Sequence, residues 1–519
     1  MRAERVLSGL YRLLAGILMI FCFGLAAAGL FFTISFRQFE QNDYPDLVSL
    51  TPIVSGAALL VALGLLWFLM RRGGPEARTL KGTGVLIPDG WFLCALIWAL
   101  GLSAILILVI GGLPTNDARQ IDEILHEFER GEYGAIRDGY FACYPFQLCY
   151  AFLCERMTGV FGAGNYAPYQ WGNVLSILIS LFFLYEITWE LTGSVRACRA
   201  LSLLSFFNLY FYVYSTFIYN DIWPLAPLYG ALYFLIRYLK GGGIGNGLLA
   251  AVLAALSWVV KTNGLIALIA MGIATAGAAL GAMAGREKAE KRVLGCAAVL
   301  ALLAVLPFVL RHGVNGYYEE RSGEKISSGV PAMAYLAMGM TDSDGKYGWY
   351  NGDNVHYLQD NDMDPGAASA AAWPVVRGRI AFFATHPKAF LQFYGMKFFT
   401  QWGDPTAVSL REQELTSRHQ ELSAQATALV SGTGYRILGT GMQISHLLRM
   451  FLAGLGLFLL LRRYHGKQIP QSVGLLLLFV FGGMAFHELW EASGRYTLRY
   501  TLALLPFAAI GLEGISHER

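Results

Sequence analysis

Charge is what this sequence has least of. Charged residues make up 14% of its 519 positions, against roughly 25% in a soluble domain. The shortage accompanies a 55% share of hydrophobic residues and repeated apolar runs of about 20 residues, the length that crosses a bilayer as a helix. An ordinary soluble domain is thereby excluded. The net charge is +3 and no Lys/Arg block forms a patch, so nucleic acid is not expected as a partner. Nucleophile and metal motifs are scarce too. There is no GxSxG elbow, and the nine histidines form no HExxH pair. Cys143, Cys149 and Cys154 lie close together but fit neither a zinc spacing nor CxxC, which leaves three packed thiols or a disulfide. The first apolar run is too long for a signal-peptide core and reads as a retained span.

What the sequence does have is a series of apolar runs with basic residues at every second turn. Tyr11 to Phe36, Leu47 to Met70, Trp91 to Leu113, Tyr169 to Leu191, Leu201 to Ile218, Ile222 to Ile236, Leu248 to Val260, Gly264 to Ala284, Val293 to Leu310, Ser445 to Leu461, Gly474 to Phe486 and Thr501 to Leu512 give about twelve spans. Arg71, Arg72, Arg78, Lys81, Arg196, Arg199, Arg237, Lys240, the REKAEKR stretch containing Lys288, and Arg462, Arg463 and Lys467 mark the inner side, so both termini are expected in the cytoplasm of a multi-pass plasma-membrane protein. Tyr144 to Phe161 carries Glu155 and Arg156 near its middle, too expensive for mid-bilayer, and reads as a re-entrant or interfacial helix. Arg311 to Gly434 is mostly polar and aromatic and reads as an external region or lid. Within it Phe382 to Trp402, broken by His386, Pro387 and Lys397, suits a helix at the interface. The expected divisions are residues 1–90 (two spans), 91–310 (a transmembrane core with the first external loop), 311–434 (external) and 435–519 (the last spans).

With that topology the unusual polar residues collect on the outer face. Asp117 follows the third span, and Tyr144, Pro145 and Gln147 begin the re-entrant piece. Asp221 ends the fifth span, Lys261 the seventh, and Glu488, Glu491, Arg495 and Arg499 lie between the last two. Arginine pairs bidentately with phosphate and lysine acts as a point charge, while a nearby carboxylate can take a proton from an attacking hydroxyl. The set suits a substrate with an anionic head and a lipid tail. Each residue also has a plainer reading. In TNDARQIDE, Thr115 and Asn116 serve as helix caps with Asp117 in the first turn. Asp221 caps the next helix equally well, and Lys261 snorkels. Arg495 and Arg499 share a helical face and are able to pair with Glu488 or Glu491 for structure alone. Elsewhere, DSDG (Asp342 to Gly345) lacks the remaining EF-hand positions and reads as an acidic turn. GGGIGNG (Gly241 to Gly247) fits no phosphate-loop pattern and reads as a linker.

Several segments carry a resemblance: LPTND at Asp117, GYFACYPFQL (Gly139 to Leu148), IYND at Asp221 and WVVKTNG around Lys261. More distinctive are YLAMGM…GWYNGDN (Tyr335 to Asn354), KFFTQWGDPT (Lys397 to Thr406) and HELWEASGRYTLRY (His487 to Tyr500). From about the third apolar run onward the chain resembles bacterial polytopic glycosyltransferases of the GT-C superfamily, near family 39 and the protein mannosyltransferase and aminoarabinose transferase group. The resemblance implies an all-α membrane fold and transfer of a sugar from polyprenyl phosphate to an extracytoplasmic glycan, lipid or protein acceptor. It also implies Asp117 as catalytic base, Asp221 as second acid, and Lys261, Arg495 and Arg499 at the donor phosphate. Tyr144, Gln147, Glu491 and Tyr496 become substrate contacts. One departure is that the acid usually follows the first span of such chains and here follows the third, as two extra N-terminal spans would explain. A divalent cation, Mg or Mn, is left open, as are the sugar and the acceptor. The rival classes are a transporter or flippase of lipid-linked sugars, which usually shows internal repeats and midplane charges, and a glycan polymerase or ligase. No convincing repeat relates the two halves.

Overall fold

The computed structural model describes all residues except 1, 38–42, 73–77, 80–85, 285–288, 344, 419 and 517–519; Lys81, Lys288 and Asp344 therefore lie outside the described residues. The protein is a helical membrane bundle. Among the described residues eight helices are long and apolar enough to cross a bilayer, or nine when the bent pair Gly494–Ala503 and Leu505–Ser516 counts as one span, with Leu225–Leu239 and Ile244–Val260 as shorter apolar helices. Strands are confined, among the described residues, to three two-stranded hairpins.

Twelve spans are not reached, and the shortfall is instructive. The expected fifth span breaks into the helices Val195–Ser205 and Leu209–Val213 and a 3₁₀ turn at Tyr214–Thr216, after which the chain runs irregularly past Asp221. Unwound backbone deep in a membrane protein needs partners. A polar stripe on the Ala167–Thr192 helix supplies them. Gln170 Nε2 donates to the Thr216 carbonyl at 3.2 Å, Asn173 Nδ2 to Phe217 at 2.6 Å and Ser176 Oγ to Ile222 at 2.6 Å. Those three residues recur at three-residue spacing in the first half of the helix, a pattern with no role in a merely lipid-facing span.

Other boundaries moved for physical reasons. Residues 32–36 and 47–49, expected within spans, belong instead to an antiparallel hairpin, Phe32–Phe36 against Pro45–Ser49, and FTISF is rich in the aromatic and β-branched residues that strands favour. The Ala289–Ser322 helix runs through the expected boundary at Arg311. Its 34 residues rise about 51 Å, more than the ~30 Å hydrocarbon core, so it stands clear of the membrane at one end. There Tyr318 donates to Glu155 at 3.0 Å and Arg321 pairs with the same carboxylate. The Glu155 charge on the short Leu148–Phe161 helix is thus neutralised by this extension. Lys397 does not interrupt its helix: Pro387–Trp402 is continuous, and Lys397 is fully buried. All seven cysteines are free thiols.

Candidate active site

The irregular stretch after Tyr214–Thr216 presents Tyr219, Asn220 and Asp221 where the Ile244–Val260 helix ends and the 3₁₀ turn Thr262–Gly264 begins, at Lys261. Lys261 Nζ lies 2.9 Å from Asp221 Oδ1 and donates to Asn220 Oδ1 at 2.9 Å. Asn220 Nδ2 donates to Gln147 Oε1 at 2.8 Å. Gln147 Nε2 donates to the Tyr219 hydroxyl, which donates in turn to Asp117 Oδ2 at 3.0 Å. A continuous set of polar contacts therefore links Asp221 to Asp117 through residues on four separate segments. Asp117 sits in the first turn of Asn116–Glu129, where Thr115 gives no side-chain cap and Asn116 takes a left-handed φ of +47°. Its carboxylate accepts from Tyr219 instead of serving that helix end.

Arg495 approaches from the other side. Its Nε is 3.6 Å from Asp221 Oδ2 and its Nη1 donates to Glu412 Oε1 at 3.0 Å. The guanidinium lies near the rings of Tyr219 and Tyr496, 5.5 and 5.4 Å from their centroids, and Lys261 Nζ is 4.8 Å from the Tyr219 centroid. The Tyr496 hydroxyl donates to Glu491 Oε1 at 2.9 Å. A small cleft opens here, lined by Thr115, Asn116, Asp117, Ala118, Phe217, Tyr219, Glu412 and Arg495. The plainer reading of Arg495, a pair with Glu488 or Glu491, is not what forms: Glu488 accepts from Gln401 Nε2 at 2.8 Å. Arg499 is 2% exposed and does not line the cleft. Its carbonyl accepts from Tyr229 and its Nη1 lacks a protein partner, so it acts on Asp221 through its charge alone. Tyr144 joins an aromatic wall, its ring 5.1 Å from that of Tyr140 and 5.9 Å from that of Phe146.

Burial and pairing oppose each other throughout the cluster. Burial pushes the Asp221 carboxyl up, but Lys261 and Arg495 together outweigh it and hold the group below its usual range. Burial lowers Lys261 to about 8 despite Asp221. Burial raises Glu491 to about 7, against the pull of the Tyr496 hydrogen bond and Arg495. Among the described residues no group of three or more His, Cys, Asp or Glu side chains is placed to hold a metal ion.

Three of the sequence segments singled out above meet beside this cleft. Lys397 Nζ donates to the carbonyls of Gly339 at 2.5 Å and Trp490 at 2.6 Å. Trp349 Nε1 donates to Thr400 Oγ1 at 3.1 Å, and Ala492 N to the Gly348 carbonyl at 2.8 Å. Gly348 has φ +70°, and a Cβ there would lie 2.5 Å from the Gly339 carbonyl. The Tyr335 ring stacks on Trp490 at 4.8 Å, an aromatic face next to Glu491. Sequence reasoning missed Tyr219, Asn220 and Glu412. Tyr219 and Asn220 stand within the IYND segment. Glu412 gave no such signal, because it belongs to a short polar helix, Ser409–Ser417, that is buried along its whole length.

Residues 147–310 match a family described as dolichyl-phosphate-mannose-protein mannosyltransferase, and that segment contains Gln147, Tyr219, Asn220, Asp221 and Lys261, five members of the linked cluster. The match covers less than half of the chain. Among solved structures, this chain is similar to the archaeal oligosaccharyltransferase AglB from Archaeoglobus fulgidus, in complex with an inhibitory peptide and a dolichol-phosphate. The identity is 12% and the TM-score 0.36, over 88% of this chain and 50% of that one. The chain thus spans half the length of that protein. No curated protein matches the sequence.

Proposed function

We propose that the chain is a glycosyltransferase that moves a sugar from a polyprenyl-phosphate donor to an extracytoplasmic acceptor. The observation that carries this reading is the placement of two cations, the buried Lys261 and the partly buried Arg495, around Asp221 at the edge of a cleft that also holds Asp117. The family of the matched segment, whose members are described as using a lipid-phosphate sugar, supports it. In this reading the acceptor hydroxyl attacks the anomeric carbon as its proton passes to Asp117. The bond between that carbon and the phosphate oxygen breaks, and the electron pair leaves with the lipid phosphate. Lys261 and Arg495 stabilise the departing charge, with Arg499 adding to the local positive potential. The simplest outcome is inversion at the anomeric carbon. Asp221 orients the two cations, Tyr219, itself held by Gln147, holds the Asp117 carboxylate, and Tyr144, Glu491 and Tyr496 contact substrate. The Tyr335–Trp490 stack offers a face for a sugar ring. The site faces outward, and both termini lie in the cytoplasm.

Proteoliposomes of the full chain, given radiolabelled polyprenyl-phosphate hexose and a membrane-glycan extract on the outer side, test the reading. Transfer predicts that label moves covalently to the extract and free polyprenyl phosphate accumulates in equal amount. Movement of intact lipid-linked sugar between leaflets, with no bond broken, would instead identify a transporter.

A further inference from the structure

Resting on the proposal that the donor phosphate is held by Lys261 and Arg495, we infer that Glu412 is the resting counter-ion of Arg495, displaced when the lipid phosphate binds. Arg495 faces two carboxylates, Glu412 at 3.0 Å and Asp221 at 3.6 Å. A phosphodiester brings one negative charge and wants the guanidinium fork for two of its oxygens. Both carboxylates cannot keep their places while that happens. Asp221 is already committed, since Lys261 holds it at 2.9 Å. Glu412 is not: its Oε1 takes Arg495, and its Oε2, buried, has no protein partner. Its nearest other cation, Arg411, is engaged by Asp43 at 3.1 Å and Glu414 at 2.9 Å. Glu412 also lines the cleft itself, so the group that must yield stands where the ligand enters.

The backbone shows that this carboxylate is placed with some effort. The Ser409–Ser417 helix follows two non-glycine residues in the left-handed region, Ala407 at φ +47° and Val408 at φ +66°. A β-branched residue there is strained and persists only when its surroundings hold it. Asp404 does so, accepting from the Val408 amide at 2.6 Å and the Thr406 amide at 2.8 Å. Gly494 lets the helix that carries Arg495 come close, since a Cβ on it would lie 2.7 Å from Asp404 Oδ2. The turn and the arginine helix thus fix Glu412 against Arg495. The counter-ion keeps the guanidinium paired and oriented until a stronger anion replaces it, and it raises the threshold for weaker anions.

The test is the equilibrium affinity of the detergent-solubilised full chain for a short-chain polyprenyl phosphate, with thermal stability measured on the same samples. Glu412→Gln keeps size and removes the competing charge, so the lipid phosphate should bind about 5- to 30-fold tighter. Glu412→Asp, which withdraws the carboxylate while keeping its charge, should tighten binding less, and it stands in should the Gln variant not fold. Arg495→Ala should weaken binding about 10- to 100-fold. Unchanged or weaker affinity in Glu412→Gln and Glu412→Asp, with binding still weakened to that extent in Arg495→Ala, overturns the counter-ion inference and leaves the phosphate site standing. Normal affinity in Arg495→Ala overturns the phosphate site itself.

Discussion

Asp117→Asn is expected to lower sugar transfer by about 10²- to 10⁴-fold while expression, folding and donor affinity stay near normal. The amide preserves size and still accepts a hydrogen bond from Tyr219, so the contact at 3.0 Å survives and only the base is removed. Asp117 is half-buried in the first turn of a helix that has no side-chain cap hydrogen bond to lose, and little stability should be lost. Turnover under saturating donor and acceptor is the measurement. Near-normal turnover would reduce Asp117 to a first-turn acid favoured by the helix dipole, the plain reading its sequence position also permits.

The second large effect belongs to the cations. Lys261→Ala and Arg495→Ala should each weaken donor binding, because each removes a charge-assisted contact worth roughly 1.5–3 kcal/mol, about one to two orders of magnitude in affinity. Arg495→Lys should recover only part of the loss, since an ammonium has no planar fork for two phosphate oxygens. A purely architectural Arg495 makes a different prediction. Removing it would strand Glu412 and destabilise the fold, as breaking one partner of a buried pair does, and the Arg495→Ala, Glu412→Gln double variant would regain both stability and transfer. A double variant that is stable yet still fails to bind donor assigns the arginine to the phosphate.

The membrane class and most helices were legible because hydrocarbon thickness sets helix length and the apolar runs are long. The segment around Leu201–Ile218 was not, because hydropathy does not distinguish a lipid-facing span from irregular backbone sheltered inside the bundle. The cue lay on a different helix, in the Gln170, Asn173 and Ser176 stripe that satisfies that backbone. Asp117, Gln147, Asp221, Lys261, Glu491 and Arg495 stood out as polar residues at the ends of apolar runs. Glu412 did not, since it lies in a polar stretch where any one carboxylate resembles its neighbours. Only its contact with Arg495 at 3.0 Å, visible in three dimensions, distinguishes it from Glu414, which pairs with Arg411 and Arg418. Lys397 likewise read as an interruption of an aromatic helix, because its two carbonyl partners come from segments 58 and 93 residues away.

The central claim is that a lipid phosphate is held between Lys261 and Arg495 with its sugar directed toward Asp117. A structure of the full chain in lipid nanodiscs saturated with polyprenyl phosphate tests it most directly. The account predicts phosphate oxygens within about 3 Å of both Lys261 Nζ and the Arg495 guanidinium, with the polar end of the ligand opening onto the Asp117 cleft. A phosphate bound elsewhere, with Lys261 still on Asp221 and Arg495 still on Glu412, would contradict it.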